Sequence, residues 1–416
     1  MSTRTLPEPP GVSVAASYRR LFAEPVLRRL ALADACARLP QGMVSITLLL
    51  LTVQHASMTV AGLVVAGYTL GQAATAPLRG RLADRRGLLP VAVCCGVGYA
   101  LALVALLAGS LASAPAGLLI AVAAVAGLFN PPLSPGLRSL WSAHAGAVLQ
   151  RTAFALDAAV FDLAYITGPV LASGLATGVA PAASVIVLLA LTGTAIAAIG
   201  RQAGHPEHPP ESRSLLGPLR SPALRELLVT AALTNAALSA TEVALTAYVR
   251  HHHALWASGP LLAEVSLGSI LGSLLLGARR STGRPRGGRL PRLLIGYTLG
   301  LATLTAAGLY PPLLAVAAPI AGLCLGPSLA TLFGAAAATA PRGGGTETQA
   351  WINSIMNGGA AAGAALAGLA AGRPLLALTL AAALAALAAL AAVAAVGAAV
   401  SAVLGRPVPQ VGSRSP

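Results

Sequence analysis

Six ionisable residues lie inside stretches that are otherwise almost free of charge: Asp34, Arg38, Asp157, Asp162, Glu242 and Glu264. If those stretches are helices in lipid, each such group costs ~2.5 to 3.5 kcal/mol to insert, so each must face a wet interior or a partner of opposite charge. Asp34 and Arg38 are four residues apart, one helical turn, and can pair. The pair can simply orient its helix, or Arg38 can bind an anionic group or hold Asp34 deprotonated until protons arrive. Glu242 and Glu264 have no basic residue in their own stretches. A lone carboxylate in a dry site can carry a proton near neutral pH, as proton coupling demands, or it can be satisfied by the rest of the bundle or by water near a helix end. Glu264 is the sharper of the two, because a weak internal repeat sets it opposite the bare Gly67. Asp157, close to the inner end of its stretch, can join a loop arginine in a gate, while the deeper Asp162 can meet Arg38. Gly168-Pro169, in the same stretch, marks a hinge or a packing kink.

The elements that must position these groups are apolar runs over 28–53, 59–79, 89–111, 116–139, 151–177, 182–200, 223–249, 257–278, 292–309, 312–337, 348–371 and 375–404. Most are near the ~20 residues that a helix rising 1.5 Å per residue needs to cross the hydrocarbon core. They predict an all-α integral membrane protein with twelve transmembrane helices. Charged residues make up only 9% of the 416-residue chain and mean hydropathy is +0.78, which in water would leave far more apolar surface than a soluble domain can cover. All 27 basic residues are arginines. If the N-terminus is cytoplasmic, all but Arg38, Arg250 and Arg373 fall on the cytoplasmic side, Arg79 and Arg138 included, and the opposite orientation would invert the positive-inside bias. Both termini are therefore expected in the cytoplasm, in a bacterial inner membrane.

The net charge of +15 raises the question of nucleic acid, but the arginines sit in short loops without interleaved aromatics, and anionic lipid is the expected neighbour. The first run follows a polar arm and lacks a cleavage site, so it reads as a retained helix. Cys36, Cys94, Cys95 and Cys324 lie inside the runs and read as packing residues. Trp141, Trp256 and Trp351 fall near predicted helix ends, where interfacial anchoring is the default role.

The polar, proline-rich segment around His205-Pro206-Glu207-His208-Pro209-Pro210 divides the chain. Expected boundaries are a cytoplasmic arm (1–27), a six-helix bundle (28–200), a cytoplasmic linker (201–222), a second six-helix bundle (223–404) and a tail (405–416). A shift of 197 positions superposes Gly62 on Gly259, Gly71 on Gly268 and Gly80 on Gly277, which favours a parallel duplication and two pseudo-symmetric bundles. The third, sixth, ninth and twelfth runs carry none of the buried charges. They are expected to face lipid, leaving the other eight to enclose a polar cavity.

Gly80-Arg81-Leu82-Ala83-Asp84-Arg85-Arg86-Gly87 resembles the signature loop G-x-L-a-D-r-x-G of the major facilitator superfamily. With twelve runs and a central linker, the resemblance covers residues 28–404. It implies that Asp84 sits against the inner end of the eleventh helix and latches an outward-open state, where the helix dipole favours a carboxylate. Gly80, Asp84, Arg85, Gly87, Asp157 and Glu347 form the expected gate, with Glu347 a partner for Arg85 or Arg81. Ile166 to Gly174 is similar to the antiporter pattern G-x-x-x-G-P-x-x-G-G. Drug-proton antiporters usually carry an arginine in the fourth helix, whereas Leu118 to Leu137 hold no charge, so coupling would have to come from Arg38 and the buried acids in another geometry.

The expected activity is secondary transport of a small organic molecule, by proton-coupled efflux through alternating access. Proton-symport import and a non-transporting receptor or scaffold are the alternatives. An enzyme is not expected: no nucleophile elbow, phosphate-binding loop or metal-ligand cluster is present, and His251-His252-His253 read as an outer loop. The expected partners are the substrate, protons and membrane lipids, with no cofactor, no metal and no nucleic acid. The resemblance implies that a single chain, a monomer, suffices.

Overall fold

The computed structural model describes residues 14–200, 218–253, 257–277, 289–341, 343–370 and 372–404. Every described element is helical. A short surface helix, α1 (Val14–Ala23), precedes the spans α2 (Pro25–Val53), α3 (Met58–Arg86) and α4 (Leu88–Leu111), the broken span α5 (Ala116–Leu128) with α6 (Leu133–His144), then α7 (Gly146–Gly178) and α8 (Pro181–Gly200). The second half repeats the scheme with α9 (Pro222–His251), α10 (Ser258–Gly272, continued by a π turn to Gly277), α11 (Arg289–Ala307), the broken span α12 (Leu314–Gly322) with α13 (Leu325–Thr339), α14 (Gly345–Leu369) and α15 (Pro374–Leu404). Among the described residues nine segments are long and apolar enough to cross a membrane by length and composition alone. The apolar Gly259–Leu275 is shorter, and α3 and α14 complete a set consistent with twelve crossings. The linker up to residue 217, the tail beyond 404 and Trp256 lie outside the described residues.

Packing repeats between the halves. α2 lies on α7 and α8 as α9 lies on α14 and α15, and α3 packs on α5 as α10 packs on α12. Backbone contact replaces side-chain interlocking at these crossings, as expected where lipid supplies no hydrophobic drive between helices. A Cβ on Gly71 would stand 2.3 Å from the Ala124 carbonyl oxygen, and one on Gly268, 197 positions later, 2.0 Å from that of Pro319. The duplication read from the sequence is therefore also a duplication of contacts.

Two departures from the predicted elements matter for function. α1 lies inside the stretch read as a polar arm; Arg19 and Arg20 are exposed while Leu21 is fully buried against the first bundle. The fourth span continues past its predicted end at 139 to His144, because Asn130-Pro131-Pro132 breaks it and α6 restarts beyond. Proline supplies no N–H and bars helical backbone before it, so the break sits where two prolines follow one another. Trp141, read as an interfacial anchor, is instead fully buried in the core of the first bundle, in the cluster that holds Leu21 and Leu137.

Gly71→Val should lower the melting transition of the detergent-solubilised protein, by about 1 to 3 kcal/mol of overpacking. Gly62→Val, where a Cβ meets nothing within 4 Å, should leave it in place. Equal melting of the two variants would refute the close crossing.

Candidate functional site

A cavity of about 220 Å³ lies between the halves. Its walls come from α2, α3, the α5–α6 break, α6, α7, α9, α10, α13 and α14, with no residue from α4, α8, α11 or α15. Those four carry no buried charge, as expected of lipid-facing helices; the α12–α13 span is also free of charge, yet α13 adds Leu325 to the wall. Polar groups are well represented in the lining: Arg38, Gln41, Gln72, Arg79, Ser134, Asp162, Glu242 and Asn353 all belong to it.

At the edge of this cavity four charges alternate in sign. Arg38 Nε donates to Asp34 Oδ1 at 3.2 Å and its Nη2 to Asp157; Arg138 Nε donates to Asp157 Oδ2 at 2.9 Å. All four side chains are 1% exposed or less. The apolar core of the first bundle divides around this layer, one cluster ending at Ala37 on α2 and the next beginning at Met43. Two guanidiniums against two carboxylates balance the charge, which is the condition for tolerating burial at all, since an unpartnered ion in a dry core is far costlier than a pair. Arg138 also crosses to the other half. Its Nη1 donates to Asn353 Oδ1 of α14 at 2.9 Å, and its Cζ stands 3.3 Å above the centroid of the Phe333 ring of α13.

The sequence-predicted residues are distributed as follows. Arg38 pairs with Asp34 as the one-turn spacing predicted, but not with Asp162. Asp157 does take an arginine that was read as a loop residue, Arg138, and it takes Arg38 as well. Arg138 is the main correction: counted by sequence among the cytoplasmic arginines at the end of the 116–139 run, it is buried, and it supplies the fourth-span arginine that Leu118 to Leu137 lack. Its burial is possible because Asp157 neutralises it, so its charge does not mark the membrane surface. Arg79, likewise read as cytoplasmic, is 7% exposed and turned back towards the cavity. Asp162 is buried beside Ser269 of α10, with Oδ2 lacking a protein partner. Glu242 opens onto the cavity from α9, within electrostatic reach of Tyr165 on α7. Glu264, the sharper candidate by sequence, is half-buried and is not part of the lining, although Val265 and Ser266 are. Helix phase decides this: the repeat places a residue opposite its equivalent in the other half without fixing which residue faces inward. Asn353, in the Gly/Ala-rich eleventh span, was missed; its only sequence signal is an amide one turn before Asn357.

The signature loop closes the arginine-rich end. The carboxylate of Asp84, at the end of α3, accepts the backbone N–H groups of Thr346 at 3.0 Å and Glu347 at 2.7 Å, on the first turn of α14. Those N–H groups have no intrahelical acceptor, and the helix dipole adds to the attraction. Gly80 permits the approach: a Cβ there would lie 2.9 Å from the Thr346 carbonyl oxygen. Gly87, at φ 93°, turns the chain from α3 into α4 in a region that L side chains rarely adopt. Arg85 is exposed, and both it and Arg81 are within electrostatic reach of the buried Glu347. Ser139 of α6 beside Gly345 and Ser354 of α14, whose hydroxyl donates to the Ala73 carbonyl at 3.2 Å, extend the seal. Gly168-Pro169 lies within an unbroken α7, and Gly168 is where α2 passes closest, a Cβ there meeting the Gly42 backbone at 2.6 Å. Packing accounts for that glycine.

Comparison with known proteins agrees with this architecture. The Major Facilitator Superfamily model matches residues 30–364. The chain belongs to the major facilitator superfamily of membrane transporters. It is 28% identical over 284 residues, 65% of its length and 70% of the relative's, to the uncharacterized MFS-type transporter y4rN of Sinorhizobium fredii (strain NBRC 101917 / NGR234). Its fold is similar to the human organic anion transporter MFSD10 (TETRAN), with TM-score 0.72, 16% identity, and coverage of 92% of this chain and 100% of that one. A bacterial homologue of the iron transporter ferroportin in the outward-facing state gives TM-score 0.75 at 13% identity, covering 90% and 100%. The Escherichia coli fucose:proton symporter FucP gives 0.70 at 12%, covering 90% and 99%.

Asp84→Ala should loosen the seal. With the four native cysteines replaced, a Ser139→Cys probe should alkylate several-fold faster in the Asp84→Ala background than with Asp84 intact. Equal rates would show that the carboxylate does not hold this end shut.

Proposed function

We propose that this transporter exports a small organic molecule in exchange for protons. Its two bundles (28–200 and 223–404) would rock about the central cavity, with arm, linker, tail and both termini on the cytoplasmic side of a bacterial inner membrane and a single chain as the working unit. In that orientation the Asp84 latch closes the cytoplasmic end and the cavity faces outward. The observation that carries the coupling is the state of the acids. Asp34 and Asp157 are committed to arginines, whereas Asp162 and Glu242 face the cavity without a basic partner among the described residues. These two are the proposed proton carriers.

Arg138 is the proposed link between chemistry and motion. Held by Asp157 in one half, it bonds Asn353 in the other, so parting the halves at this end must break that bond. Protonation of Asp162 or Glu242, beside the layer, changes the field at the guanidinium and shifts the balance between the closed and parted arrangements. The fourth-helix arginine and the resemblance of Ile166 to Gly174 to the antiporter pattern favour export. The gate comprises Gly80, Asp84, Arg85, Gly87, Asp157 and Glu347, with flexing of α7 near Gly168-Pro169.

Everted vesicles containing the chain, supplied with a metabolite extract and an imposed pH gradient, test this. At least one small organic compound should accumulate, and the accumulation should collapse with an uncoupler and in Asp162→Asn or Glu242→Gln. Accumulation indifferent to the gradient would remove proton exchange. Gradient-dependent uptake only in right-side-out vesicles would make the protein a symport importer.

A further inference from the structure

Arg79 is a buried cation that nothing in the quartet or the latch uses. It leaves α3 one residue before Gly80, yet its side chain runs inward rather than to the helix end. Nη1 donates to the Gly127 carbonyl at 3.3 Å and to that of Asn130, and Nη2 to the Gln72 carbonyl at 2.8 Å. Pro131 denies the Gly127 carbonyl its usual helical donor, leaving it the turn bond from Asn130 N–H at 3.1 Å, and a cation at a helix C-terminus is favoured by the dipole. That much is capping. Capping does not use the whole group.

A guanidinium has five N–H donors, and three are taken. Nε–H has no partner among the described residues, and Nη2, with one recorded bond, has a second N–H to give; Nε and Nη2 share the edge of the fork that receives a carboxylate side-on. No carboxylate among the described residues forms an ion pair with Arg79, while Arg38 and Arg138 have theirs. The residue lines the cavity and is 7% exposed, with Nε itself buried in the wall. The wall thus holds one full positive charge with donors unspent and no carboxylate paired to it among the described residues, in a setting where an unanswered charge is costly.

We propose that Arg79 anchors the ligand through a carboxylate, so that the cavity takes small organic monocarboxylates with an apolar body. This rests on the cavity being the ligand site of the transport reading above and names its substrate class. The single free fork edge accommodates one carboxylate, and Asp162 and Glu242 would repel a second. Phe161, Leu238, Val265 and Met356 supply apolar wall for the remainder. Gln72 and Asn130, which also line the cavity, can add donors to the bound oxygen atoms.

The test uses the purified full chain in lipid-free maltoside micelles, so that no lipid headgroup competes. Benzoate, phenylacetate and hexanoate are each compared with their primary amides by thermal shift and calorimetry. At least one acid should bind about tenfold or more tightly than its amide. That preference should vanish in Arg79→Gln and weaken in Arg79→Lys, which keeps the charge but loses the fork. The acid–amide comparison on the unaltered protein stands even if a variant fails to fold. No acid exceeding its amide, or a folded Arg79→Gln binding the acid undiminished, would overturn the proposal. Acid binding without flux in proteoliposomes would instead sink the transport reading and leave the anchor standing, whereas gradient-driven flux of uncharged compounds alone would do the reverse.

Discussion

Lipid does not solvate charge, and this chain keeps several charges at membrane depth. Every one must therefore be answered by an opposite charge, by an oriented backbone dipole or by the cavity. The layer of Asp34, Arg38, Asp157 and Arg138 is the first kind of answer. It is neutral as a unit and dry, and it divides the core of the first bundle into two apolar clusters. Because Arg138 also bonds Asn353 and covers Phe333, the same neutralisation that permits burial ties the halves together. Asp84 on the first turn of α14 is the second kind, a charge answered by N–H groups that the helix geometry leaves free.

The remaining groups fall to the cavity. Among the described residues Asp162 and Glu242 have no basic partner, and Arg79 has carbonyls but no anion. A site with a fixed balanced layer and a few uncommitted charges beside it can alter its protonation and ligand occupancy without dismantling its scaffold. Within each bundle the scaffold is held by packed apolar side chains and by close backbone contact at Gly42, Gly71 and Gly268.

Much of this is legible in the sequence because lipid imposes strong rules. Length and apolarity locate the spans to within a few residues, since a helix must cross a fixed thickness. The Asp34–Arg38 pair follows from one-turn spacing, and the Asp84 contact from the signature loop. What escapes is direction. An arginine near a helix end looks the same whether its side chain reaches water or folds back inward, so Arg79 and Arg138 were read as surface residues. The choice of Glu242 over Glu264 depends on helix phase about an axis that only packing sets. Asn130-Pro131-Pro132 marks a break, but not that the span resumes beyond it and carries Arg138 into the core.

The central claim is that the buried layer is held by mutual neutralisation, and a double-mutant cycle on Asp157 and Arg138 measures it most directly. Chaotrope unfolding of the solubilised protein should show Asp157→Asn costing about 3 to 5 kcal/mol, because it strands the buried Arg138 guanidinium and leaves Arg38 with Asp34 alone. Adding Arg138→Met should restore part of that loss, giving a clear coupling energy. A single substitution costing under about 1 kcal/mol, with the two effects simply additive, would mean that the charges are solvated independently and would contradict the account.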